Sequence, residues 1–205
     1  KWLMPATART NTNFHSDIEV YGKIGEEWFK NILTTSKKTI SLIDCSICDD
    51  RLGVKEMEEL RRFDIDILQY TKEDAPLPRD IIDKYYTNRK TIPDNAGVTA
   101  YEIKTDTQIG RTRNIFYEEM SHTNPGCMAR TLSNYIVYAG IDFNKSINES
   151  YLIKTLDLRR YVLDNFNTVK RCRMDHRGSG SADVTAGYLI NIEELITKKI
   201  ATKIL

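Results

Sequence analysis

Glu102 and Lys104 stand two residues apart in Val98-Thr99-Ala100-Tyr101-Glu102-Ile103-Lys104, a run whose β-branched and aromatic residues predict a strand. Alternate side chains of a strand share a face, so Glu102 and Lys104 project together and Ile103 points away. A second run, Phe63-Asp64-Ile65-Asp66-Ile67-Leu68, reads the same way, with Asp64 and Asp66 on one face and Ile65 and Ile67 on the other. Charges inside apolar strands are costly unless they are paired or hold a metal. Two carboxylates and a lysine suit one chemistry in particular, the metal-assisted hydrolysis of a phosphodiester. Mg²⁺ or Mn²⁺ takes oxygen ligands and keeps several waters, so Asp66, Glu102 and the backbone carbonyl of Ile103 form an adequate donor set. Lys104 would orient the attacking water or stabilise charge developing on the phosphorus centre.

Such a site needs elements to hold it. Ser16-Asp17-Ile18-Glu19 is a capping box that predicts a helix start, and Ile18, Tyr21, Gly25, Trp28 and Ile32 continue at helical spacing to about Ser36. Glu26 follows Gly25, where a helix can approach a sheet closely, and would bring a fourth group to the metal, directly or through water. Strands are expected at Thr39–Asp44, Phe63–Thr71, Thr99–Thr105, Asn114–Met120, Tyr151–Thr155 and Tyr188–Ile190. Helices are expected around Glu56–Leu60, near Asp80–Tyr86, at Ala129–Ala139, at Leu156–Phe166 and from Ile192. Residues 1–15 read as a polar arm. Residues 16–205 read as a single domain with an insertion at about 72–97, marked by Pro76, Pro78 and Pro93. The implied fold class is α/β (α+β), a central mixed sheet flanked by helices.

Bulk composition excludes some partners. Net charge is +1, so nucleic-acid binding would depend on local patches rather than a global basic field. No apolar run approaches the roughly 20 residues needed to span a bilayer. Cys45 and Cys48 have metal-ligand spacing, but Cys127 and Cys172 are isolated and no second pair completes a zinc site. Reduced cysteines and a cytoplasmic location are the expectation.

The layout resembles the PD-(D/E)xK nuclease superfamily, the restriction-endonuclease-like fold, and in particular its phage-type members. Gly22-Lys23-Ile24-Gly25-Glu26 is similar to the helical glutamate segment of that family. Phe63-Asp64-Ile65-Asp66-Ile67-Leu68 resembles its G-[IV]-D-[FLY]-L strand, without the glycine. Tyr101-Glu102-Ile103-Lys104-Thr105-Asp106 resembles its EVKTD segment. Arg111-Thr112-Arg113-Asn114-Ile115-Phe116-Tyr117-Glu118 is similar to a TGNLFIE strand of one subgroup, and Thr131-Leu132-Ser133-Asn134-Tyr135 to the helix start that follows it. The resemblance implies an endonuclease that cuts DNA with Mg²⁺ or Mn²⁺, using Asp66, Glu102, Lys104 and Glu26. Pro93-Asp94 also spells the first half of the motif, eight residues before Glu102. Asp94 sits among Pro, Asn and Gly and reads as a turn acid, so Asp66 is preferred, with Asp64 the next competitor.

Nucleic-acid contacts are expected from Arg111, Arg113 and Asn114 after the catalytic strand, and from the basic cluster Lys170, Arg171, Arg173, His176 and Arg177. Glu118 is expected beside Glu102 as a supporting acid, and Asp106 within the turn after Lys104. Severing both strands of a duplex often calls for a homodimer. Two rival readings share these residues: a nuclease-like binding or assembly module with an inactive site, and an RNA endonuclease of the same chemistry. The chain has no RNA-binding aromatic strand motif.

Overall fold

The computed structural model describes residues 14–47, 51–121, 124–175 and 184–205. Helix α1 (Phe14–Thr35) leads into β1 (Ser41–Asp44), α2 (Val54–Arg62) and β2 (Ile67–Tyr70). The segment after β2 carries α3 (Pro78–Lys84) and two 3-10 turns, then β3 (Val98–Asp106), α4 (Ile109–Thr112) and β4 (Asn114–Ser121). There follow β5 (Asn124–Pro125), α5 (Cys127–Arg130), β6 (Tyr135–Ile141), β7 (Ile147–Lys154) and α6 (Thr155–Asn165). The last elements are β8 (Lys170–Asp175), β9 (Val184–Asn191), α7 (Ile192–Thr197) and β10 (Ala201–Lys203).

A six-stranded mixed sheet runs β1-β2-β3-β6-β7-β10, and a four-stranded antiparallel sheet runs β5-β4-β9-β8. Among the described residues β3 and β6 are the one parallel pair, and the chain between them crosses over through β4, β5 and α5. One face of the larger sheet lies under α1, where Phe29 and Leu33 pack on Ile67, Tyr101, Ile103 and Val137. The other face is covered in two parts. Near β1 and β2, the segment 72–97 supplies Ile81, Ile82, Tyr86 and Ile92 to a buried cluster with Leu60 and Leu68. Near β6 and β7, the second sheet and α6 pack Ile115, Tyr188 and Leu158 against Ile136, Tyr151 and Ile153. The segment 72–97 is thus core, not an appendage.

Three expectations need correction. Residues 63–66 do not extend β2. Asp64 adopts a left-handed conformation (φ 50°), and Ile65 N–H returns to Leu60 O (3.2 Å), so the chain turns before the ladder begins. Asp64 and Asp66 therefore do not share a strand face. The first strand begins at Ser41, although Ile40 N–H already donates to Tyr70 O (2.8 Å). The helix expected at Ala129–Ala139 is a one-turn helix followed by β6. The Thr131 hydroxyl bonds Ser133 N–H and Asp64 O (both 3.1 Å), giving the backbone a non-helical alternative. Tyr135–Ile141 is a strand buried along almost its whole length, and an unbroken apolar run carries no period to separate strand from helix. The capping box Ser16–Glu19 concerns side chains outside the described residues, as do Cys48, His122 and His176. Among the described residues no helix is long and apolar enough to cross a membrane.

Gly25 is a point of close approach between α1 and β3. A Cβ there would lie 2.4 Å from Thr105 Cγ2 and 3.4 Å from Ile103 Cγ2. Overpacking costs about 1–3 kcal/mol, more than the roughly 1 kcal/mol that alanine gains over glycine in a helix. Gly25→Ala is therefore expected to lower unfolding free energy in urea, and adding Thr105→Ser, which removes the obstructing methyl, to restore much of it. An unchanged urea midpoint in Gly25→Ala would contradict the close approach.

Candidate active site

The β2–β3 register sets Ile67 opposite Tyr101. The register ends there: Asp66 N–H donates to Tyr101 O (2.9 Å) and Cys45 N–H to Asp66 O (2.8 Å), which holds Asp66 at the end of the ladder beside the Tyr101–Glu102 segment. At this point β2 leaves the sheet, and the Asp66 side chain takes over the ladder: its Oδ2 accepts from Ile103 N–H (2.6 Å).

Glu102 is 2 % exposed, and its carboxylate forms an ion pair with Lys104 through Oε1. Its Oε2 is buried with no hydrogen-bond partner. Both side chains lie on the face away from α1, since their register neighbours on β6, Ile136 and Tyr138, belong to the core on that side. Burial pushes the Glu102 carboxyl well up, and Asp66 and Asp64 add to it while the Lys104 charge opposes. Burial also raises Asp66, offset in part by the Ile103 amide and Lys104. Lys104 is held in its charged form by Glu102 against its own burial.

Glu26 approaches from the α1 side. Burial lifts its carboxyl to about 7, helped by the charges of Asp66 and Asp44 and opposed by Arg61 and Lys104. Asp44, at the end of β1, is an acid that sequence reasoning missed. It accepts Lys30 Nζ (2.9 Å) and the Ser46 N–H (3.0 Å). Burial acts to raise Asp44, but these donors outweigh it and leave the carboxyl below its ordinary value. The signal was available: Asp44 closes an apolar strand, as Asp66 opens one.

Other expected residues fall elsewhere. Asp64 is held by Arg130, which donates Nε to Oδ2 (2.8 Å) and Nη2 to Oδ1 (2.7 Å). Its charge acts on the site, but its oxygens are engaged. Asp94 is an exposed residue in a 3-10 turn before β3. Glu118 is on the second sheet and not beside Glu102, because β3 pairs with β6 rather than β4. It accepts the Cys127 thiol (2.6 Å) and Cys127 N–H (3.2 Å). The Cys127 thiol, pushed up to about 12 by burial with Lys104 opposing, is an inert neighbour of Lys104. Asp106 accepts Gln108 N–H within its turn and Tyr138 Oη (2.7 Å).

The expected nucleic-acid residues are scattered. Arg113 is committed to Glu149, Tyr151 Oη (2.9 Å) and Glu193, tying β4 to β7 and α7. That engagement pairs its guanidinium with acids of its own chain. Arg111 is exposed and bonded to Gln108 (2.8 Å), and Asn114 is half-buried at the start of β4. Arg171 is exposed and pairs with Glu119 (3.1 Å), Arg173 is exposed on the same strand, and Arg177 lies outside the described residues.

The donor set suits a hard divalent cation. Glu102 Oε2 is a buried carboxyl oxygen without a donor, and the charge of Asp66, at the end of the β2–β3 ladder, acts on it. Among the described residues no three His, Cys, Asp or Glu side chains form a ready cluster. Two carboxylates and a carbonyl suit an ion that retains its waters. Comparison with protein-family models, with curated proteins and with solved structures returns no match to this chain.

Glu26 has a folded pKa above its ordinary 4.5, so the folded state binds the extra proton. Its contribution to stability is full below about 4.5 and is lost as pH rises through about 7. In chelator, melting temperature is expected to fall across that window, and Glu26→Gln to flatten the fall. Parallel pH profiles for the two proteins would show that Glu26 is not the group responsible.

Proposed function

We propose that this protein is a metal-dependent nuclease that hydrolyses DNA phosphodiester bonds, with its active site at the β2–β3 end of the larger sheet. The observation that carries the reading is Glu102: a buried carboxyl group with one oxygen on Lys104 and the other without any donor, on which the charge of nearby Asp66 acts. A buried carboxyl oxygen left without a hydrogen bond carries a desolvation cost, which a bound cation would offset. The resemblance of Phe63–Leu68 and Tyr101–Asp106 to the PD-(D/E)xK motif supports the same assignment, and so does a mixed sheet that has helix on one face and mixed cover on the other.

Asp66, Glu102 and the Ile103 carbonyl are the residues that would hold Mg²⁺ or Mn²⁺. When bound, the ion neutralises charge on the phosphate and makes a coordinated water acidic enough to attack near neutral pH. The chain supplies the positioning. Lys104 Nζ, fixed by Glu102, points a proton donor at the reacting oxygens and stabilises charge that develops on them. Asp66 keeps its carboxylate in the sheet plane through Ile103 N–H. Glu26, protonated below about pH 7, is placed to accept a proton from the α1 side as pH rises.

The test is cleavage of supercoiled plasmid and of single-stranded RNA, in Mg²⁺, in Mn²⁺ and in excess chelator. Plasmid nicking in either metal and none in chelator is expected. Asp66→Asn, Glu102→Gln and Lys104→Ala should each lower the rate by about 100-fold or more at unchanged secondary structure. Cleavage that survives chelation, or full activity in Asp66→Asn, would overturn the reading. Preference for RNA would move the substrate to the sister chemistry, and inactivity on both would leave a binding module.

A further inference from the structure

Glu26, Asp44, Asp66 and Glu102 bring four carboxylates to one end of the sheet, and an anionic phosphodiester has to approach against them. Most cations nearby are already committed: Lys30 to Asp44, Lys104 to Glu102 and Arg130 to Asp64. Arg61 differs. It lies in the last turn of α2 and is exposed, and among the described residues no carboxylate or carbonyl takes its guanidinium. Its backbone is tied to the turn that delivers Asp66. Asp64 N–H donates to Arg61 O (3.1 Å), and Ile65 N–H to Leu60 O (3.2 Å). Its charge, like that of Lys104, acts on the Glu26 carboxyl against the rise that burial causes.

We propose that Arg61 is a phosphate-binding residue of this site, taking a backbone phosphate of the nucleic acid beside the one at Asp66 and Glu102. The proposal rests on the nuclease reading above and extends it to the substrate's path, along the α2–β2 turn rather than over the guanidinium of Arg113. A guanidinium matches the geometry of phosphate oxygens in a bidentate fork and adds affinity without reading sequence. Its position also completes the electrostatics. Lys104 and a divalent cation address the reacting phosphate, and Arg61 offsets the charge of its neighbour on the strand.

A plainer role competes: an arginine in the last turn of a helix stabilises the helix dipole. Arg62, the next residue, has that role equally and lies about 100° round the helix, so it is the control. Arg61→Ala, Arg61→Lys and Arg62→Ala are compared on a short fluorescein-labelled duplex, by cleavage in Mg²⁺ and by anisotropy in Ca²⁺ across a salt series. The proposal expects Arg61→Ala to raise KM and weaken binding by about tenfold with kcat little changed. It also expects the slope of log affinity against log salt to flatten by about 0.9, the share of one phosphate contact. Arg61→Lys should recover part of the loss, and Arg62→Ala should match the unmodified protein.

Equal effects of Arg61→Ala and Arg62→Ala, or an unchanged salt slope in Arg61→Ala, would overturn the proposal and leave the nuclease reading standing. If the unmodified protein cuts nothing, the nuclease reading fails. The anisotropy series then decides on Arg61 alone: a flattened slope upholds it as a phosphate contact, and an unchanged slope or absent binding removes it.

Discussion

A glutamate sealed inside a sheet must be balanced, and around Glu102 the balance is half complete. Lys104 takes one oxygen, the lysine keeps its charge because of that pairing, and the second oxygen meets no donor. Much of the surrounding structure follows from this arrangement. The ladder is cut short at Ile67, which leaves Asp66 at its end beside the Tyr101–Glu102 segment. The turn that cuts it is fixed from outside: Arg130 holds the Asp64 carboxylate, and the Thr131 hydroxyl holds the Asp64 carbonyl. Asp64 accepts a left-handed backbone there, a conformation that aspartate tolerates better than most residues.

The two faces of the large sheet divide the work. The α1 face is closed by apolar contact around Gly25, Phe29, Tyr101 and Ile103, with Glu26 at its border. The opposite face is built from parts remote in sequence, and Glu102 lies at the seam between the two clusters that cover it. Polar groups at that seam are satisfied in chains. Asn134 Oδ1 accepts Ala100 N–H (2.9 Å) while its Nδ2 donates to Ile92 O (2.7 Å), and Ser133 links the hydroxyls of Thr131 and Thr155. Among the described residues the buried side-chain oxygens without a partner are the hydroxyls of Tyr70, Tyr86 and Ser150 and Oε2 of Glu102, which is the one carboxyl oxygen of the four.

Much of this was legible in the chain. The pairing of Glu102 with Lys104 follows from period-two alternation, and the first helix, β3, β4 and α6 are marked by clear periodicity. The approach of Asp66 to Glu102 was legible too, though by the wrong route. A continuous strand was expected, whereas a turn and one extra ladder bond produce the juxtaposition. Three features left no local trace. Tyr135–Ile141 is apolar on both faces, so nothing in its pattern separates strand from helix. Arg113 looks like a surface base until Glu149 and Glu193, distant in sequence, close on it. The role of 72–97 as core depends on Ile81, Ile82 and Tyr86 finding partners in α2 and β2, a tertiary fact that prolines and charges conceal.

The second sheet has a consequence for how the molecule is made. β4 pairs with β9 in a register that joins Asn114 to Asn191, and this sheet roofs half of the core around Ile136 and Tyr151. During synthesis β4 therefore emerges long before its partner strand exists, and the hydrophobic wall beneath it stays open until residue 191 has left the ribosome. Contacts of that sequence separation close slowly, and an open strand edge over an apolar floor invites association with other chains in the interval. The nascent protein is most exposed to aggregation after β2 and β3 are complete and before its roof has arrived.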